Sequence, residues 1–249
     1  MTATKRSGDK IFISGDYQDR ALHHGIIFQR AWHRLKLLAA TQSLAGTLHP
    51  IILDIGCGSG TLLQFVPQGY QSYTGVDVNQ AAIQFCREQY PAPENQFRLL
   101  EFDELGQLTG EQFSHIFFLE SIEHITQDQG LMLMKNAKPL LAAEGVLVLT
   151  TPNRKSAWPF IEKALDFFRL TPALANEQHE HLYSMTELTA LAQEAGFSVK
   201  KAYTMNGIAP WLSYLGTRIT NAIHCWECNQ PWLPGSIMVM ELVTKPNRK

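Results

Sequence analysis

The segment Ile51-Ile52-Leu53-Asp54-Ile55-Gly56-Cys57-Gly58-Ser59-Gly60 constrains this chain more than any other. Its apolar first half reads as a short buried strand. The alternate glycines that follow permit a tight turn in which the backbone can approach a ligand closely. The run from Gly60 to Phe65 is expected to open a helix, whose unpaired N–H groups and positive dipole end would face that turn. Strand, glycine turn and helix in this order begin a parallel α/β sheet.

The following residues continue that rhythm. Tyr73–Val76, Phe97–Leu100, His115–Leu119 and Gly145–Thr150 read as strands, and Gln80–Tyr90 and Gly130–Leu141 as helices between them. Such alternation predicts a parallel sheet covered on both faces. Ahead of it, apolar residues from Asp19 to Leu44 recur at helical spacing and predict one or two amphipathic helices. His23, His24, Arg30, His33, Arg34 and Lys36 would form their basic face, which suits an anionic substrate, a cover over a ligand, or plain solvation. Beyond Pro152 the pattern predicts a helix over Lys155–Leu174, another over Thr186–Ala195, and strands at Phe197–Tyr203 and Ile237–Val243, the last a candidate antiparallel strand. Asn206–Gly235 is rich in Trp, Pro and Gly and shows no clear period.

The expected fold is therefore one Rossmann-like α/β domain over residues 1–249, a three-layer sandwich around a mostly parallel seven-stranded sheet. Residues 1–48 would form an N-terminal helical cap and 49–152 a ligand-binding core. Residues 153–185 and 205–235 would be substrate-side insertions. Their aromatics, Trp158, Phe160, Phe167, Phe168, Trp211, Tyr214, Trp226 and Trp232, suit a core, an apolar pocket or a membrane-facing lip.

Composition narrows the partners. The chain is 45% hydrophobic, enough for one sizeable core, and its net charge of −2 argues against long nucleic acid. No stretch approaches the roughly 20 apolar residues of a membrane span. The N-terminus lacks a signal-peptide core, and four cysteines do not make a disulfide framework. A soluble cytoplasmic protein with free thiols is expected, with peripheral membrane contact open. The Cys225-x-x-Cys228 pair lacks further ligands at zinc spacing.

The turn also narrows its ligand. Its glycines run G-x-G-x-G, and Asp54 ahead of them would repel a pyrophosphate but suits a cationic sulfonium and its ammonium group. In Gly75-Val76-Asp77-Val78-Asn79, an acid ends the next strand, where a carboxylate can accept both hydroxyls of a ribose. Together these motifs resemble the class I S-adenosylmethionine-dependent methyltransferase family over about Ile51 to Thr151. That resemblance implies S-adenosylmethionine as cofactor. Asp54, Gly56, Cys57, Gly58 and Gly60 would bracket its amino-acid half, and Asp77 and Val78 its ribose. Asp103, with Glu101 close behind, would meet the adenine, and Glu120 would border the site.

A second cluster follows the fourth strand, Glu120-Ser121-Ile122-Glu123-His124, with His179-Glu180-His181 further on. The E-x-x-E-H pattern is similar to that of the ubiquinone-biosynthesis O-methyltransferases. With a distant histidine it also resembles the small-RNA 3′-terminal 2′-O-methyltransferases. The resemblance implies Glu120, Glu123, His124 and His181 as ligands to Mg²⁺ or another divalent ion. An alternative gives His124 or His181 the role of general base, with Glu120 alongside; a purely structural role is the third. The expected reaction is O-methylation of a small or lipid-like acceptor by direct displacement. The competing readings are a methyltransferase acting on RNA ends, a nicotinamide-dependent oxidoreductase and a non-catalytic cofactor-binding subunit.

Overall fold

A computed structural model describes residues 14–156, 180–230 and 232–244. Two helices, α1 (Tyr17–His24) and α2 (Ile27–Thr41), lead into β1 (Ile51–Ile55), β2 (Ser72–Asp77), α3 (Gln80–Gln89), β3 (Asn95–Leu99) and β4 (Phe113–Leu119). Then come α4 (Gln127–Ala137), β5 (Leu141–Pro152), α5 (Met185–Glu194), β6 (Phe197–Met205), α6 (Thr217–Glu227) and β7 (Ile237–Thr244). The seven strands form one sheet in the order β3-β2-β1-β4-β5-β7-β6.

The central strands are largely apolar because both faces are buried, Asp54 of β1 and Ser114 and His115 of β4 apart. On one face Leu53, Ile55, Ile116, Phe118, Leu147 and Leu149 pack with α4 and α5. On the other, Ile52, Phe117, Val146 and Val148 pack with Leu22, Leu37 and Ile83 of α1, α2 and α3. Successive residues of a strand point to opposite faces, so an uninterrupted apolar run satisfies both layers. The helices show the complementary period: α4 buries Gly130, Leu133, Met134 and Ala137, a stripe at helical spacing. Capping boxes start α4 at Thr126 with Gln129 and α5 at Ser184 with Glu187.

The architecture is the expected three-layer α/β sandwich, but the sheet is mixed. Its first four pairings, β3 through β5, are parallel, whereas β7 runs antiparallel to both β5 and β6. The expected helix from Gly60 is a single 3₁₀ segment, Thr61–Phe65. Pro67 is the reason: it drives Val66 into extended backbone (ψ 133) and stops the run before an α-helix can be built. The aperiodic stretch after Asn206 contains a 3₁₀ turn, Ala209–Leu215, and helix α6. The expected helix over Lys155–Leu174 lies outside the described residues from position 157 on, with Trp158, Phe160, Phe167 and Phe168. No described helix is long and apolar enough to cross a membrane.

Strand order reverses between β1 and β4. In open α/β sheets ligands bind beyond the carboxyl ends of the strands at such a switch point. Gly56 follows β1 and Glu120 follows β4, so both motifs stand at that crevice.

Candidate functional site

The turn after β1 is tied to β2 by two hydrogen bonds, from Gly56 N and Cys57 N to the Val76 carbonyl (2.8 and 3.0 Å). Gly56 has φ 72, and a Cβ there would meet Ser121 Oγ at 2.5 Å, so the turn presses directly on the segment after β4. Gly58 has φ 50 and lies under Gln18 of α1, whose Oε1 would stand 2.2 Å from an added Cβ. Glycine alone accepts both conditions without strain.

Asp77 ends β2 at the lip of this turn. Its Oδ2 accepts from Gly58 N and its Oδ1 from Asn79 N, both at 2.8 Å. Burial raises its carboxyl above the ordinary range, against the pull of backbone hydrogen bonds from Asn79, Gly58 and Val78. Val78 beside it is exposed. Asp54 is 3% exposed and accepts a 2.5 Å hydrogen bond from Tyr73 Oη. Burial pushes it up to about 7, with the Asp77 charge adding to the rise and the Tyr73 hydrogen bond and Lys36 opposing it. Asp103 is exposed in the first turn of a 3₁₀ segment, Phe102–Leu108, for which Glu101 is the N-cap.

A cavity joins these groups to the N-terminal helices. It is lined by Gln18, His33 and Lys36 from α1 and α2, and by Asp54, Cys57 and Leu119 from the sheet side. Gln18 also clasps Ser59: its N–H donates to Ser59 Oγ and its Oε1 accepts from Ser59 N, both at 3.1 Å. The N-terminal helices therefore form a roof over the glycine turn.

At the end of β4, Glu120 sits in the left-handed region with φ 48. A non-glycine residue held there stores about 1 kcal/mol or more of strain, a cost found often at functional sites. Its carboxylate is hydrogen-bonded and ion-paired to the ammonium of Lys36, which is itself only 7% exposed. Burial opposes ionisation of Glu120, but the neighbouring positive charge, Lys36 foremost, outweighs it and holds the carboxyl below its usual range. Burial and Lys36 together push His33 down to about 4, so its ring is neutral at neutral pH.

Glu123 is 1% exposed. Its Oε2 accepts from Thr151 Oγ1 at 2.9 Å, and its carbonyl accepts from Glu180 N and His181 N at 2.8 and 3.2 Å. Burial, then the neighbouring Glu120 charge, pushes its carboxyl up to about 8. His181 stands edge-on to Tyr183, centroids 4.5 Å apart. His181 Nε2, Tyr183 Oη and Thr150 Oγ1 are buried atoms with no hydrogen-bond partner. His124 is exposed at the end of a single 3₁₀ turn.

The structure thus gathers Asp54, Gly56, Cys57, Gly58 and Asp77 around one turn, and Glu120, Glu123 and His181 beyond the neighbouring strand. It does not bring the second set together as a metal centre. Among the described residues, no group of three or more His, Cys, Asp and Glu could hold an ion. Glu120 is engaged by Lys36, and Glu123 is turned to Thr151. The donors a divalent ion would need are split between a cation and a hydroxyl, so they do not fit one. Lys36 was read only as part of a basic face. Yet it falls in the stripe Trp32, Leu35, Lys36, Ala39, Ala40, all buried, and a lysine within an apolar stripe was the available signal. Gln18 left no comparable trace.

A family model described as a methyltransferase domain matches residues 26–202. The chain is 28% identical over 160 residues to a ubiquinone biosynthesis O-methyltransferase of Bordetella avium, covering 62% of this chain and 65% of that protein. It is 26% identical over 154 residues to the protein of that name from Acinetobacter baylyi, covering 60% and 63%. The chain thus spans just under two thirds of the length of these relatives. Its fold is similar to that of a SAM dependent methyltransferase from Archaeoglobus fulgidus, with a TM-score of 0.61 at 16% identity over 91% of this chain and 98% of that one.

Proposed function

This chain belongs to the methyltransferase domain family, and on that premise we propose that it moves the methyl group of S-adenosylmethionine to an oxygen of a small or lipid-like acceptor. The observation that carries this reading is the placement of Asp77 Oδ2 2.8 Å from Gly58 N, at the switch point of the sheet. A carboxylate at the lip of a glycine turn retains lone pairs for two ribose hydroxyls.

The residues present fit the cofactor. Asp77 would hold the ribose, with Val78 and Asp103 along the open adenine side. The backbone of Gly56 to Gly60 would let the amino-acid half pass beneath Gln18. Asp54 and Lys36 both line the cavity, and Asp54 would meet the ammonium of the cofactor's amino-acid half. When bound, S-adenosylmethionine supplies an electrophilic methyl group on a sulfonium. The protein's share is to align the acceptor oxygen with that methyl and to remove its proton.

His181 is the group we assign to proton removal. Its Nε2 is buried without a hydrogen-bond partner, and its backbone N–H donates to the Glu123 carbonyl, which supports a place for it beside the segment after β4. Glu120, kept ionised by Lys36, would orient the imidazole or the acceptor, and His124 would stand at the exposed rim. We derive no step through a divalent ion. The relatives' name supports an acceptor of the ubiquinone-biosynthetic kind over an RNA end. The N-terminal residues to position 48 would act as the cap, 49–152 as the cofactor core and the two late segments as the acceptor side of one cytoplasmic unit.

Incubation with methyl-labelled S-adenosylmethionine and a panel of phenolic and catecholic acceptors tests the reading. Label should appear on oxygen, and His181→Ala should lower kcat with little change in cofactor affinity. Label on nitrogen or carbon alone would contradict it.

A further inference from the structure

Helix α6 carries an apolar stripe on its outward face. Inward, Thr220, His224 and Glu227 are buried, and Ile223 and the capping Cys228 pack against the cluster of Trp32, Leu35 and Met205. Glu227 accepts backbone N–H groups from Asn206, Ile208 and Ala209, which fixes the 3₁₀ turn Ala209–Leu215 against the helix. The outward stripe, at helical spacing, is Ile219, Ala222, Cys225 and Trp226, all exposed. Trp211, Tyr214 and Leu215 of the adjoining 3₁₀ turn are exposed too, as is Trp232, whose ring lies 6.3 Å from that of Trp226. The surface continues to the start of α2, where the exposed Ile26 and Ile27 precede Phe28, whose ring lies 4.3 Å from that of Trp211 at a tilt of 39°.

Charge around this face has one sign. From Asn206 to Ser236 the charged residues are Arg218 and Glu227, and Glu227 is 1% exposed. From Gly25 to Thr41 they are Arg30, Arg34 and Lys36. Arg34 donates to Asn221 Oδ1 at 2.5 Å, which holds α2 alongside α6, and Arg30 and Arg218 are exposed. The exposed charges of the two segments that form this face are therefore the guanidinium groups of Arg30 and Arg218, with no exposed carboxylate in either segment.

We propose that this face docks on the surface of a lipid bilayer containing anionic headgroups. Tryptophan and tyrosine rings suit the boundary between acyl chains and headgroups, the aliphatic stripe gains by entering it, and the arginines meet the lipid phosphates. A protein partner would need a matching apolar patch; a bilayer needs none. The proposal stands apart from the methyl-transfer reading, because binding to vesicles is read without cofactor or turnover.

The test is co-sedimentation of the full chain with vesicles of phosphatidylcholine alone and of phosphatidylcholine mixed with phosphatidylglycerol, with tryptophan emission recorded. The chain should partition onto the mixed vesicles with a blue shift and bind the neutral ones more weakly. Ile219→Ser combined with Trp226→Ser should lower partitioning at least about tenfold, since two apolar side chains are withdrawn. Arg218→Glu should lower it about fivefold or more, on mixed vesicles only. Circular dichroism and titration with S-adenosylhomocysteine on each variant check that the fold is kept. No binding to either vesicle, or undiminished binding by the double variant, overturns the proposal. So does a wild type that is dimeric in solution with a monomeric double variant, which would assign the face to a second copy of the chain.

Discussion

The ammonium of Lys36, on a helix that precedes the sheet, is ion-paired with the carboxylate of Glu120 at the end of β4. This contact ties α2 to the residue that follows β4. It keeps a half-buried carboxylate ionised. Replacing Lys36 by Met should therefore strand that charge and cost about 1–3 kcal/mol of stability. Adding Glu120→Gln should recover part of the loss. Urea unfolding of the two single variants and the double variant measures the coupling, and additive losses would show that the pair is not coupled.

Chelation gives a second expectation. With Glu120 held by Lys36 and Glu123 by Thr151, methyl transfer should survive exhaustive treatment with EDTA, and Mg²⁺ should not raise it. Activity that vanishes on chelation and returns with Mg²⁺ would mean that these side chains rearrange around an ion.

Asp54 makes stability depend on pH. Its carboxyl is pushed from an ordinary value of 3.8 up to about 7 in the folded chain. Between those values the folded state holds a proton that the unfolded state has released, so stability falls as pH rises through this window. The cost is fully incurred above about pH 7 and amounts to about 2–4 kcal/mol. Asp54→Asn keeps an oxygen for the Tyr73 hydroxyl and removes the charge. Its melting temperature should exceed that of wild type at pH 8 and approach it at pH 4. An equal difference at both values would contradict the assignment.

Gly56 should not tolerate a side chain. Alanine there combines a left-handed φ with a 2.5 Å approach to Ser121 Oγ, and Gly56→Ala should destabilise the fold by about 1–3 kcal/mol. Ser121→Gly in the same chain should return the contact share but not the backbone share. Thermal unfolding of both variants checks this, and no rescue would place the clash elsewhere.

Much of this arrangement was legible in the residues themselves. Ile51–Ile55 and His115–Leu119 announce buried central strands because both their faces are covered, and Asp77 stands out as an acid ending an apolar run. Other parts were hidden for physical reasons. Helix α6 shows no clear period because buried Thr220, His224 and Glu227 share its inward face with Ile223 while Ile219 and Trp226 are exposed, so apolar residues fall on both faces and blur the pattern that identifies a surface helix. Lys36 looked like solvated charge because its partner, Glu120, lies 84 positions away. Glu120, Glu123 and His124 fall within one short motif, with His181 far along the chain, but the pairing of Glu120 with Lys36 and of Glu123 with Thr151 depends on tertiary contacts that no local spacing reveals.

The central claim is that the Asp77 carboxylate and the glycine turn grip S-adenosylmethionine. Isothermal titration with S-adenosylhomocysteine, on wild type and on Asp77→Ala, tests it most directly. The wild type should bind at one site, and the variant, still folded by circular dichroism, should bind at least about tenfold more weakly, since a charged hydrogen-bond acceptor is removed. No binding to wild type, or equal binding to the variant, would contradict the account.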